Sequence, residues 1–86
     1  MTILSMSVTV SFYSYFKELT GCERTTESVS QGSTLNDLYE RLSARFPKLG
    51  AMKKSTLMAV GVEYRERGYV LQEGDEVSLF PPVQGG

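Results

Sequence analysis

The sequence contains no histidine, no tryptophan and a single cysteine, Cys22. Without an imidazole to take a proton, neither a Ser-His-Asp nor a Cys-His nucleophilic site can be assembled. The Cys/His zinc centres are excluded by the same absence. One cysteine has no partner within the chain, so no disulfide framework forms. Charge is balanced: 9 Lys plus Arg against 10 Asp plus Glu leaves a net charge of −1. That balance offers no electrostatic footprint for nucleic acid. Tyr13, Tyr15, Tyr39, Tyr64 and Tyr69 also lack the spacing of a base-stacking platform. Long hydrophobic runs are missing too. The strongest, Leu57 to Val62, includes Gly61 and falls far short of the about 20 residues that cross a bilayer. Met1-Thr2-Ile3-Leu4-Ser5-Met6 has neither the basic start nor the long apolar stretch of a secretory signal. A lone cysteine fits a reducing compartment. These absences predict a cytoplasmic chain with no membrane or nucleic-acid partner, ill equipped for catalysis of its own.

What is present suits one small domain. The chain has 86 residues, 41% hydrophobic and 22% charged, enough for a single core. Met6, Val8, Val10 and Phe12 alternate with Ser7, Thr9 and Ser11, which predicts a half-buried strand. Tyr15 to Thr20 loses the alternation and stops at Gly21, a short helical turn. Thr25 to Val29 reads as a polar edge strand returning beside the first, its charge discouraging unwanted pairing. Thr34-Leu35-Asn36-Asp37 resembles a capping box. Leu35, Leu38, Tyr39, Leu42 and Phe46 then mark one face of a helix, which Pro47 ends. Leu57 to Val60 and Val77 to Phe80 read as strands, with Tyr69-Val70-Leu71 as a further short piece and Glu73-Gly74-Asp75 as a turn. One convincing helix and a mixed set of strands predict an α+β fold, a β-grasp or ubiquitin-like roll with the helix on one face of the sheet. A ferredoxin-like arrangement would need a second helix. The domain is expected over residues 1–80, with residues 81–86 as an extended tail.

The tail, Phe80-Pro81-Pro82-Val83-Gln84-Gly85-Gly86, is the segment best suited to chemistry. Two prolines fix φ and carry the chain off the strand as a stiff arm. The arm bears no charged side chain. Glycine has no side chain, so a partner can close on Gly85 and Gly86 from all sides. A terminal carboxylate, with an ordinary pKa of about 3.3–3.7, is ionised at neutral pH. It can attack the α-phosphate of ATP and form an acyl-adenylate, a mixed anhydride open to a sulfur or nitrogen nucleophile. The reacting group would be the main-chain end of Gly86. A plain frayed tail is the alternative reading of two terminal glycines.

Apolar surface is the other candidate. If Val77 and Leu79 face the helix, Phe80 faces away, and Leu57 to Val60 is apolar on both sides. This surface is either a satellite cluster closed by loops or a docking patch leading to the tail. Phe80, Pro81 and Val83 would form its centre. Cys22 reads as a small, partly buried residue. Gly74-Asp75-Glu76 supplies too few ligands for a cation, and Lys53-Lys54 reads as a solvated loop.

Several of these residues carry a resemblance. Met6 to Tyr13 running into Phe16-Lys17-Glu18-Leu19-Thr20-Gly21 resembles the opening of the ThiS/MoaD-like sulfur carriers. So do Thr34-Leu35-x-x-Leu38, Ala59-Val60-x-x-Glu63-Tyr64, Leu71-x-x-Gly74-Asp75-Glu76-Val77 and, most specifically, Pro81-Pro82-Val83-x-Gly85-Gly86. Within the family, the double proline before the glycines resembles the small subunits of molybdopterin synthases. Lys17 and Gly61 depart from the commoner Arg and Asn, and residues 65–69 form a slightly longer segment.

The resemblance implies that this chain binds no cofactor itself. It implies an adenylating enzyme of the ubiquitin-activating type that uses ATP and magnesium on Gly86, and a persulfide donor that turns the adenylate into a thiocarboxylate. Val83, Gln84 and Gly85 would thread the active site of the large catalytic subunit of molybdopterin synthase, and Phe80, Pro81 and Pro82 would bind it. There the sulfur would pass to a cyclic pyranopterin monophosphate. A carrier for another pathway (thiamine thiazole or tungsten cofactor), a ubiquitin-like modifier of lysines and a plain interaction module remain alternatives.

Overall fold

The computed structural model describes residues 5–14 and 16–81. The expectations for Pro82, Val83, Gln84, Gly85 and Gly86 fall outside the described residues.

The alternating segment forms strand β1, Ser5–Phe12, with Met6, Val8, Val10 and Phe12 buried. Strand β2, Arg24–Ser30, runs antiparallel beside it from Ser5↔Ser30 to Ser11↔Arg24. Between them lies the short helix α1, Phe16–Thr20. It is closed by Gly21 at φ 76°, whose N–H donates to Lys17 O at 2.8 Å, as expected of a helix stopped by glycine.

Helix α2, Leu35–Arg45, begins on a complete capping box. The Asp37 N–H donates to Thr34 Oγ1 at 3.2 Å, and the Thr34 N–H to Asp37 Oδ2 at 3.0 Å. The shorter aspartate therefore closes the box as a glutamate would. Leu35, Leu38, Tyr39 and Leu42 are buried in one core with Val8, Val10, Phe12, Val77 and Leu79. Burying each such side chain contributes roughly 1.5–3 kcal/mol, so this helix face and the inner face of the sheet hold each other in place. Pro47 stands two residues past the end of α2 and opens a 3-10 helix, Pro47–Ser55.

Strands β3 (Leu57–Val60), β4 (Glu63–Tyr64) and β5 (Glu76–Phe80) complete a five-stranded sheet in the order β2-β1-β5-β3-β4. β5 runs parallel to β1 and antiparallel to β3. One main helix on a mixed sheet, with the first and last strands parallel and adjacent, is the expected β-grasp arrangement.

Three local expectations are corrected. Tyr69-Val70-Leu71 is not a strand; Val70 makes only an isolated bridge to Thr34. The strand in that region is Glu63–Tyr64, paired to Ala59 and Val60. Glu27 on β2 does not guard the edge. It is buried and faces α2, where Arg45 Nη1 donates to it at 2.6 Å and Arg41 Nε lies at 3.5 Å. Lys53 and Lys54 belong to the 3-10 helix rather than a loop, and Lys53 Nζ pairs with Glu40 at 2.7 Å.

The 3-10 helix is pinned by one buried hydroxyl. Tyr39 donates to Leu49 O at 2.6 Å and lies 3.0 Å from Thr56 Oγ1, which donates to Met52 O. Tyr39→Phe is expected to cost about 1–2 kcal/mol, because Leu49 O is left without its donor in the core. Urea unfolding measures this, and an unchanged midpoint would remove the hydroxyl from the account.

Candidate functional site: the outer sheet face at the tail root

The pleat divides β5 in two. Val77 and Leu79 enter the core, while Ser78 and Phe80 face outward, as expected. Residues directly opposite in register share a face. The pairs Leu57↔Phe80, Ala59↔Ser78 and Ala59↔Tyr64 therefore put Leu57, Ala59 and Tyr64 on the same outer surface. Phe80 is its hub. Its ring stacks on Tyr13 at 4.8 Å and 13°, and meets Tyr64 edge-on at 6.1 Å. Both geometries are the favourable ones for aromatic pairs. Tyr13 is 44% exposed and Tyr64 66%, so these rings form an open patch rather than a satellite cluster closed over by loops.

The patch sits where β5 ends and Pro81 begins. A cleft of about 410 Å³ adjoins it on either side. One is lined by Ser11, Tyr13, Lys17, Glu23 and Arg24, the other by Leu57, Met58, Tyr64, Arg65 and Arg67. Lys17 pairs with Glu23 at 3.7 Å and Arg65 with Glu63 at 3.5 Å. An aromatic centre inside a charged rim is the anatomy of a protein-docking surface. Away from it, the outer face of β1 and β2 is mostly hydroxyl: Ser5, Ser7 and Thr9 lie opposite Ser30, Ser28 and Thr26, and only Ser11 faces a charge, Arg24.

The other candidates serve the fold. Among the described residues no group of three His, Cys, Asp or Glu could hold a metal. The Asp75 carboxylate accepts from the Gln72 N–H at 2.8 Å and the Tyr69 hydroxyl at 3.2 Å, and Glu73 accepts from the Ser7 N–H at 3.3 Å. These bonds build the predicted turn, with Gly74 at φ 82°. Burial first, and then the Asp75 carboxylate, raise the Tyr69 phenol above its ordinary value. Cys22 packs partly buried against the core, its Sγ 3.8 Å from Thr20 Oγ1. Among the described residues no helix is long and apolar enough to cross a membrane.

The family model described as the ThiS family matches residues 10–86. The chain belongs to the ThiS family. A Homo sapiens relative, named molybdopterin synthase sulfur carrier subunit, is 35% identical over 82 residues, covering 92% of this chain and 93% of its own. The Arabidopsis thaliana protein of the same name is 29% identical over 82 residues, covering 95% of this chain and 85% of its own. The crystal structure of SAMP1 from Haloferax volcanii superposes with a TM-score of 0.83 at 24% identity, over 93% of this chain and 99% of that one. That likeness establishes the ubiquitin-like β-grasp fold.

In this ThiS-family chain, Phe80 and Pro81 are the site residues whose placement is described, and both lie at the tail root. Tyr13 and Tyr64 are additions that reading for tail chemistry missed. Tyr13 had a signal: it follows the inward Phe12 and so continues the outward register of β1. Tyr64 had little, since a two-residue strand shows no period.

Proposed function

We propose that this chain is a sulfur carrier of the molybdopterin synthase type, working through the carboxyl end of Gly86. The observation that carries this reading is the position of Phe80. The last residue of a central strand points out of the core into an open aromatic patch, at the point where the chain leaves the sheet. A partner seated on that patch would meet the chain where Pro81 follows the last strand. The names of the human and Arabidopsis relatives supply the class of cargo.

The chemistry follows from the terminal acid. An activating enzyme with ATP and magnesium joins a Gly86 carboxylate oxygen to the α-phosphate, and pyrophosphate leaves. The outer sulfur of a persulfide then attacks the acyl carbon and AMP leaves. A thiol that cleaves the resulting acyl disulfide releases the thiocarboxylate. Val83, Gln84 and Gly85 thread the tail into the synthase large subunit, which Phe80, Pro81 and Pro82 help to hold. The sulfur passes there to a cyclic pyranopterin monophosphate. This chain contributes the sulfur and no catalytic side chain.

Incubation with an activating enzyme of the ubiquitin-activating type, ATP and magnesium tests the first step. The reading expects pyrophosphate release in proportion to the chain added. No release above the enzyme alone, with a catalytically competent enzyme, would overturn it.

A further inference from the structure

We infer that Pro81 is the stop of the β1–β5 ladder, a positioning residue that ends the pairing of the two central strands at one defined point. In a parallel pair the bonds are evenly spaced, and a residue of one strand serves two residues of the other. The register here is Thr9↔Glu76 through Phe12↔Leu79. Thr9 donates to Asp75 O at 3.0 Å and Tyr13 to Leu79 O at 3.2 Å, each to the residue before its partner. The carbonyl of each such β1 residue is accordingly aimed at the N–H of the residue after its partner. Counting on from Phe12↔Leu79, the partner of Tyr13 is Phe80, and the residue after it is Pro81. The next rung would run from the N–H of residue 81 to Tyr13 O. Proline has no N–H to give.

The unused carbonyl has another employment. Tyr13 O accepts the N–H of Phe16, the first residue of α1, at 3.1 Å. Ser14, at φ 57°, takes the left-handed turn that brings Phe16 back to it. That conformation is uncommon outside glycine and costs energy that the surrounding bonds must hold. The two central strands thus end together: β1 turns away at Ser14 and β5 is released at Pro81. At the last rung, the stacked rings of Tyr13 and Phe80 hold the two strand ends side by side.

A residue with an N–H at position 81 would add one rung, to Tyr13 O, and no more, since β1 turns away at Ser14. That rung would hold residue 81 against β1, take about 3.3 Å from the reach of whatever follows it and move the point at which pairing ends. The kinetic consequence rests on the proposed activation of Gly86; the ladder geometry does not. Three chains decide it: the natural one, Pro81→Ala, and a semisynthetic chain with N-methylalanine at position 81, which lacks the N–H as proline does. The amide at position 81 of Pro81→Ala is expected to exchange with solvent about tenfold more slowly than in an unstructured peptide. Adenylation at saturating chain should fall roughly fivefold in Pro81→Ala and return in the N-methylalanine chain. An amide at 81 that exchanges at the unstructured rate would overturn the inference, as would an N-methylalanine chain as slow as Pro81→Ala. If the natural chain is not adenylated at all, the proposed function falls, while the exchange measurement still decides the ladder stop.

Discussion

Deleting Gly86, or capping its carboxylate as an amide, is expected to abolish the proposed sulfur transfer and to leave the unfolding transition where it was. The amide is the sharper of the two, since it keeps the length of the chain and removes only the ionised oxygen that must attack phosphorus. An amide nitrogen is a poor nucleophile, and no neighbouring side chain is asked to act in its place. The buried core of the described residues runs from Met6 to Leu79, and the melt reads whether it stays intact when position 86 is changed. A reconstituted transfer assay and a circular-dichroism melt measure the two halves of this prediction. A capped chain that transfers sulfur at the natural rate would refute the mechanism.

The second large effect belongs to Phe80. Truncation to alanine removes the ring that joins Tyr13 to Tyr64. A central aromatic anchor of a docking patch typically carries about 2 kcal/mol or more of binding, so affinity for the proposed partner, the synthase large subunit, should fall about thirtyfold. The fold should lose less. Phe80 lies on the outer face, and an aromatic pair adds about 0.5–1.5 kcal/mol beyond burial, against about 3–5 kcal/mol for truncating a core phenylalanine. Titration calorimetry and urea unfolding on the same variant separate the two costs. Unchanged affinity would remove Phe80 from the docking surface, and a loss of stability on the core scale would make it a packing residue.

The parts of this fold that were legible in the sequence are those whose cause is local. The alternation from Met6 to Phe12 needs only the pleat, and Thr34 with Asp37 needs only its own first helical turn. Leu35, Leu38, Tyr39 and Leu42 follow from a period of one helix. The misread parts depend on distant partners. Glu27 looks like a surface charge until Arg41 and Arg45, a helical turn apart on α2, close on it. Buried charge of this kind is stable only when paired, and nothing near residue 27 announces the pair. Glu63–Tyr64 is a strand because β3 offers it an edge, whereas Val70 finds only Thr34. Residues 47–55 mix Pro, Gly, Ala and Lys without a period, so their 3-10 helix arises from the Tyr39 hydroxyl and the packing of Leu49. The candidate site divides the same way. The outward turn of Phe80 followed from counting along β5, while the rings that meet it come from β4 and from the end of β1.

Intact-mass analysis of the chain isolated from the cell that makes it, under conditions that spare thioacids, tests the sulfur itself. A population heavier by one sulfur in exchange for one oxygen, with the change mapped to the terminal residue, is the result this account predicts. A chain found only with an ordinary carboxyl end while its cell is making molybdopterin, or found instead joined through Gly86 to lysines of other proteins, would contradict it.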